Sequence, residues 1–241
     1  MMVDGLGMWM PPMGGLWFSF QESNLFSGKL IVITLMGMSI FAWTTMIYKW
    51  VDLRSMQSRG RAFLLRYRRE RDPLHLFLSR QVAKDSPVTR VYDEACSALS
   101  LEMESRGSGG GTDDARLTTL QIGAVRNAAD RKVAEECVRL EERMGFLAIA
   151  VSASPMMGLL GTVWGVMESF SAMAVQGSAN LSAVAPGIAS ALMTTVVGLI
   201  VAIPSAIGYN VLTTKIKTMI VEMDNFADEF SSELQRLFIR E

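Results

Sequence analysis

Histidine occurs once in this chain, as His75, and cysteine twice, as Cys96 and Cys137. A metal centre of imidazoles and thiolates needs three or four such side chains gathered together, which these three scattered positions do not offer. The sequence also lacks a nucleophile-base signature, a phosphate-binding glycine loop and a pair of carboxylates in an apolar setting. Gly107 to Gly111 (GSGGG) is followed by nothing suited to phosphate and reads as a flexible surface turn. No metal, no cofactor and no enzymatic activity is therefore expected. Strong charge of either sign is missing too, with 23 basic and 24 acidic residues, so the net balance of −1 excludes little. Its distribution excludes more: the first 28 residues and the stretch Ser169 to Thr214 contain no Lys or Arg, and Met144 to Thr214 as a whole is free of basic residues.

What fills the uncharged stretches is apolar. Leu30 to Tyr48 carries no charge and approaches the ~20 residues a helix needs to cross a bilayer core. Met144 to Met167 is also uncharged, and after the single acid Glu168 the uncharged run resumes through Thr214. That last run is too long for one crossing. Its first part, with Gln176, Gly177, Ser178, Asn180 and Ser182, reads as a polar loop, and Pro186-Gly187 opens the third span. The expected fold is all-α, a membrane protein with three transmembrane helices. Eighteen basic residues between Lys49 and Arg143 place that segment inside, the N-terminus outside and the C-terminus inside. The expected order is a periplasmic segment 1–28, span one 29–49, a cytoplasmic helical domain 50–143, span two 144–168, a periplasmic loop 169–187, span three 188–212 and a cytoplasmic helix 213–241. Trp9, Pro11, Pro12, Trp17, Phe18 and Phe20 at the start suit the outer interface, where aromatic rings sit at headgroup level; a functionally neutral tail is the alternative. Both cysteines fall on the inside, where thiols stay reduced.

The inside portion is helical in two modes. From Val51 to Glu104 the pattern suggests several shorter helices broken at Pro73 and Pro87. After the glycines, Leu117, Leu120, Val125, Ala129, Val133, Cys137, Leu140 and Met144 recur at helical spacing and run into span two. A matching stripe follows span three: Ile216, Ile220, Met223, Phe226, Phe230, Leu234 and Leu237. Each extension of about 29 residues would reach ~43 Å at a rise of ~1.5 Å per residue, and the two are expected to pack antiparallel. The run Arg59, Arg61, Arg66, Arg68, Arg69 and Arg71 lies just inside span one, which favours contact with anionic lipid or a solvated face over nucleic acid.

Spans two and three are rich in small and hydroxyl-bearing residues. Gly158, Gly161 and Gly165 flank Thr162 in span two; Ser190, Thr194, Thr195, Gly198 and Ala202 do the same in span three. Such faces let helix backbones approach closely while a hydroxyl is presented on the neighbouring arc. Pro155, Pro186 and Pro204 are candidate hinges. The alternative for every Thr and Ser is a bond back to its own helix that serves packing alone.

Three stretches, GLLGTVWGVM from Gly158 to Met167, APGIASALMTTVVGL from Ala185 to Leu199 and AIPSAIGYN from Ala202 to Asn210, resemble the proton-channel subunits of the TolQ, ExbB and MotA family. The ending DNFADEF, Asp224 to Phe230, is most similar to the TolQ branch. The resemblance implies a bacterial inner-membrane protein that forms a homopentamer around a dimer of a single-span TolR, ExbD or MotB-like partner, whose span carries a proton-accepting Asp. It further implies that Thr162 and Thr195 are pore-facing hydroxyls near that Asp, with Ser190 and Thr194 as further pore-lining candidates, and that proton flow drives motion passed on to the cell envelope. One position departs from the pattern: within APGIASAL, Ser190 stands where the TolQ and ExbB branches usually have Glu. A charged side chain at mid-membrane costs ~2.5 to 3.5 kcal/mol on insertion scales, which Ser190 avoids at the loss of a titratable site. Glu168 is then the only acid in either span and a candidate for the outer proton entrance, with a solvated helix end as its alternative. A non-conducting scaffold of the same fold is the competing reading.

Overall fold

The computed structural model describes residues 26–70, 74–78, 85–107, 117–176 and 181–238. The aromatic-rich start through residue 25, Pro73, Arg71 and residues 108–111 of the glycine turn lie outside the described residues. The regular elements among those described are helices, α1 Phe26–Tyr67, α2 His75–Leu78, α3 Pro87–Gly107, α4 Thr119–Glu141, α5 Met144–Gln176 and α6 Leu181–Phe238. The fold is all-α, and α1, α5 and α6 are each long and apolar enough to cross a membrane.

Two compact units emerge, one of Met1–Met46 with Gly145–Tyr209 and one of Ile47–Met144 with Asn210–Glu241. In the first unit the described helices meet around Ile31, Leu35 and Val201, with Met157 and Val197 packed against them. Phe41 and Phe146 join α1 to α5, their ring centroids 4.0 Å apart. Large apolar side chains such as Ile40, Leu159, Val163, Ile200 and Ile203 point outward instead of inward. That inversion is what a helix set bathed in lipid or in further apolar helices needs, because no water is present to drive those side chains inside.

The second unit is organised like a water-soluble domain. Phe63, Tyr67, Tyr92, Phe226 and Phe230 form a connected aromatic cluster in which Tyr92, Phe226 and Phe230 are fully buried. Around it, Arg61 pairs with Glu222 at 3.7 Å and Arg68 pairs with Glu229 through two hydrogen bonds of 3.0 and 2.8 Å. Both pairs join residues 161 apart, seven residues separate the two rungs on each helix, and so α1 and the end of α6 run parallel here. Arg126 of α4 pairs with Asp228, while Lys49 of α1 reaches Leu140 of α4. Given the parallel register of α1 and α6, those two contacts make α4 antiparallel to both.

Several boundaries differ from expectation. The chain past Lys49 does not break into short helices at once; α1 continues to Tyr67 because Leu53, Gly60 and Tyr67, one heptad apart, are buried in sequence. Pro87 starts a helix instead of only ending one. It occupies the first helical position after Ser86, whose hydroxyl accepts from the Thr89 N–H at 3.3 Å while the Thr89 hydroxyl accepts from the Ser86 N–H at 3.1 Å. Much of the stretch 169–187 expected as a loop is helical, since α5 persists through Gln176 and α6 opens at Leu181. Leu120 is exposed and Ile122 takes its place in the buried face of α4, while Leu237 at the far end of α6 is exposed as well.

The stripe leading into span two is interrupted by one turn. Glu142 leaves the helical region with φ −50° and ψ 135°, and Arg143 is left-handed at φ 68°. A non-glycine residue there needs support, and its neighbours supply it. The Lys49 ammonium donates to the Leu140 carbonyl at 3.0 Å, satisfying one of the acceptors that a helix C-terminus leaves free. The Arg143 guanidinium lies 5.3 Å from the centre of the Tyr48 ring.

Candidate functional site

The residues singled out in spans two and three converge within the first unit. Gly158, Gly161 and Gly165, three to four residues apart on α5, form a buried face against α6. A Cβ at Gly158 would stand 3.0 Å from the Thr194 carbonyl oxygen and 3.0 Å from the Thr195 Cα; at Gly165 it would stand 2.7 Å from the Ala191 Cβ. At Gly161 it would collide with the Thr194 side chain. The approach is mutual, for a Cβ at Gly198 would meet the Ser154 carbonyl oxygen at 2.6 Å. Backbones this close leave room for hydroxyls and little else.

Those hydroxyls have defined partners. Thr195 donates to the Gly158 carbonyl across the helix pair at 3.0 Å, and its oxygen lies 3.5 Å from that of Thr162. Thr162 donates to the Leu159 carbonyl at 2.7 Å. Thr194, buried, lies 2.7 Å from the Ala191 carbonyl and 3.1 Å from the same Gly158 carbonyl. Thr162 and Thr195 thus present lone pairs, their protons being engaged by backbone oxygens. Thr194 is enclosed between the two helices, where it serves their packing. The Gly158 carbonyl as a shared acceptor was not foreseen, because a backbone oxygen carries no residue-type signal; nor was Ser154, fully buried and bonded to the Ala150 carbonyl at 2.6 Å.

Other predicted residues fall around this pair. Ser190 is partly exposed on α6, one turn before Thr194, and Ala202 is buried one turn beyond Gly198. Pro155 lies inside α5, and Pro186 and Pro204 lie inside α6, without ending either helix. Each proline removes one backbone donor. Hydroxyls cluster at two of these points, Ser154 beside Pro155 and Ser205 beside Pro204, the latter donating to the Val201 carbonyl at 2.7 Å. Glu168 is partly buried near the far end of α5, next to Ser169, which packs against Gly187. Among the described residues no group of His, Cys, Asp and Glu is arranged to hold a metal.

Residues 111–225, which take in α4, α5 and α6 as far as Asn225, match the MotA/TolQ/ExbB proton channel family. The Tol-Pal system protein TolQ of Pseudomonas aeruginosa is 34% identical over 212 residues, covering 86% of this chain and 87% of its own length. The chain belongs to the MotA/TolQ/ExbB proton channel family. TolQ of Haemophilus influenzae is 31% identical, over 86% of this chain and 89% of its own length. The biopolymer transport protein ExbB of Salmonella typhimurium is 29% identical, over 83% of this chain and 78% of its own length. Membership together with three apolar helices makes this chain a multi-pass membrane protein, and the TolQ relatives agree with the resemblance of its DNFADEF ending. Within the family match lie both threonines, all three glycines of the α5 face, and Ser190.

Proposed function

We propose that this chain is a ring-forming stator subunit of an inner-membrane motor driven by the proton-motive force. In this reading five copies surround a dimer of a single-span TolR or ExbD-like protein and pass force to the cell envelope, for outer-membrane maintenance, transport or gliding motility. The N-terminus is periplasmic and the C-terminus cytoplasmic, following the bias of Lys and Arg. The observation that carries the proposal is the Thr162–Thr195 pair, two hydroxyl oxygens 3.5 Å apart on a helix pair locked by glycines. Because both donate to backbone oxygens, they offer lone pairs to a protonated carboxyl or a hydrated proton, which eases charge through a region where it is costly. Ser190 leaves no acid in span three, so the titrating group comes from the partner's span. Pro155 and Pro204 are the bends that let the helices follow the partner, and Glu168 marks the outer entrance.

Co-expression with the single-span partner and proton uptake into vesicles test this. Thr195→Val keeps the volume and removes the hydroxyl; uptake and envelope function are expected to fall together. Unchanged flux and function would remove the pore role. Ser190 favours one second reading, a scaffold that assembles envelope partners without conducting, and this predicts no uptake in the unsubstituted complex although the assembly forms.

A further inference from the structure

The ladder that joins α1 to α6 has a third rung of the wrong charge. Its lower rungs are Arg61–Glu222 and Arg68–Glu229, at a constant separation of 161 and a spacing of seven. One heptad earlier on both helices the same register pairs Arg54 with Lys215. The acid that would complete the rung is replaced by a second cation. Arg54 is exposed and enters no ion pair among the described residues. Burial, and then the guanidiniums of Arg54 and Arg61, hold the Lys215 ammonium below its ordinary range, as expected for cations that face one another. Lys215 also lies 4.8 Å from the centre of the Trp50 ring, which is itself exposed. Beside Arg54 on α1, at helical spacing, stand the exposed apolar side chains of Ile47 and Val51, and one turn before Lys215 on α6 stands exposed Val211. In sequence, the uncharged window Leu30–Tyr48 ends six residues before Arg54, and the window Ser169–Thr214 ends at the residue before Lys215.

From this juxtaposition we infer that Arg54 and Lys215 form a binding site for the phosphate of an anionic phospholipid in the leaflet that meets the basic side of the protein, with Trp50 as a shelf and Ile47, Val51 and Val211 against the acyl chain. Two cations that lack a carboxylate gain from a phosphate diester, and the aromatic and aliphatic surround suits a ligand that is half headgroup and half hydrocarbon. An acidic side chain from another protein would satisfy the charge alone and leave the apolar strip without a purpose. The inference rests on the membrane reading of the three apolar helices and not on proton conduction.

The test uses the full chain in nanodiscs of phosphatidylcholine and phosphatidylglycerol, extracted mildly and weighed by native mass spectrometry. The unsubstituted protein should retain phosphatidylglycerol in preference, and Arg54→Gln should reduce that preference roughly fivefold. Lys215→Glu supplies the missing carboxylate, so it should abolish the preference while keeping helicity and melting temperature at or above those of the unsubstituted chain. Lys217→Gln, an exposed cation outside the ladder, should change nothing. Excess inorganic phosphate should not displace the lipid; displacement would mean a phosphate site and overturn the lipid assignment. Retention of phosphatidylglycerol by a folded Lys215→Glu variant, or loss of association between protein subunits with lipid unchanged, would overturn the site altogether.

Discussion

The two units of this chain solve the same problem, holding helices together, by opposite means. In the unit of Met1–Met46 and Gly145–Tyr209, helices α5 and α6 meet through glycines, with threonine hydroxyls bonding across to a backbone carbonyl and large apolar side chains facing out. In the other, large aromatic side chains are buried and charged groups surround them. Water explains the difference. Where it is present, burying a phenyl ring is the strongest available device. Where it is absent, apolar side chains gain little by turning inward, and backbone proximity with a few directed hydrogen bonds takes over. The threonines that serve the proposed proton path are thus also part of what joins the helices.

The sharpest break of this contrast is Phe226→Ala. Its ring is fully buried and touches Phe63, Tyr67, Tyr92 and Phe230, so truncation should cost ~3 to 5 kcal/mol. Hydrogen exchange read peptide by peptide in detergent should lose protection across α3, α4 and the end of α6. Protection of the α5 glycine face should stay as it was. A loss spread evenly over both units would mean that aromatic burial does not distinguish one from the other.

Glycine gives the converse test. Gly161→Ala must displace the Thr194 side chain, whose Cβ lies 2.7 Å from the new methyl position, and should cost ~1 to 3 kcal/mol. Gly123→Ala on α4 meets nothing within 4 Å, so the same change should stabilise by up to ~1 kcal/mol through helix propensity. Thermal melts of the two variants in one detergent should move in opposite directions.

How much of this was legible in sequence follows the same division. The uncharged windows marked three helices apolar enough to cross a membrane, and the spacing of Gly158, Gly161 and Gly165 marked the small-residue face of α5; Thr162 and Thr195 were singled out by the family resemblance, and the structure brings their hydroxyl oxygens to 3.5 Å. Two features escaped. The continuation of α1 to Tyr67 was hidden by arginines between its buried heptad positions Leu53, Gly60 and Tyr67, one of which, Arg61, is engaged by Glu222 on α6. The turn at Glu142–Arg143 was hidden because neither glycine nor proline marks it; Lys49, bonded to the Leu140 carbonyl just before it, and the Tyr48 ring, both on another helix, hold it.

The smallest expected effect concerns charge in the second unit, where position decides more than number. Glu136 is 1% exposed at its side chain and receives two hydrogen bonds of 2.7 and 2.6 Å from Arg90, which is itself mostly covered. Arg68 and Glu229 make the same bidentate geometry, but the arginine side chain is 58% exposed. Water and salt screen the second pair, so a double-mutant cycle with Arg68→Ala and Glu229→Ala should give a coupling of only ~0.2 to 1 kcal/mol, shrinking as salt is raised. The ladder then serves to fix the register of α1 against α6 more than to hold them together, which the aromatic cluster already does. A coupling above that range and indifferent to salt would mean that the unit depends on its ion pairs, and the contrast between the two units would have to be redrawn around charge instead of aromatic burial.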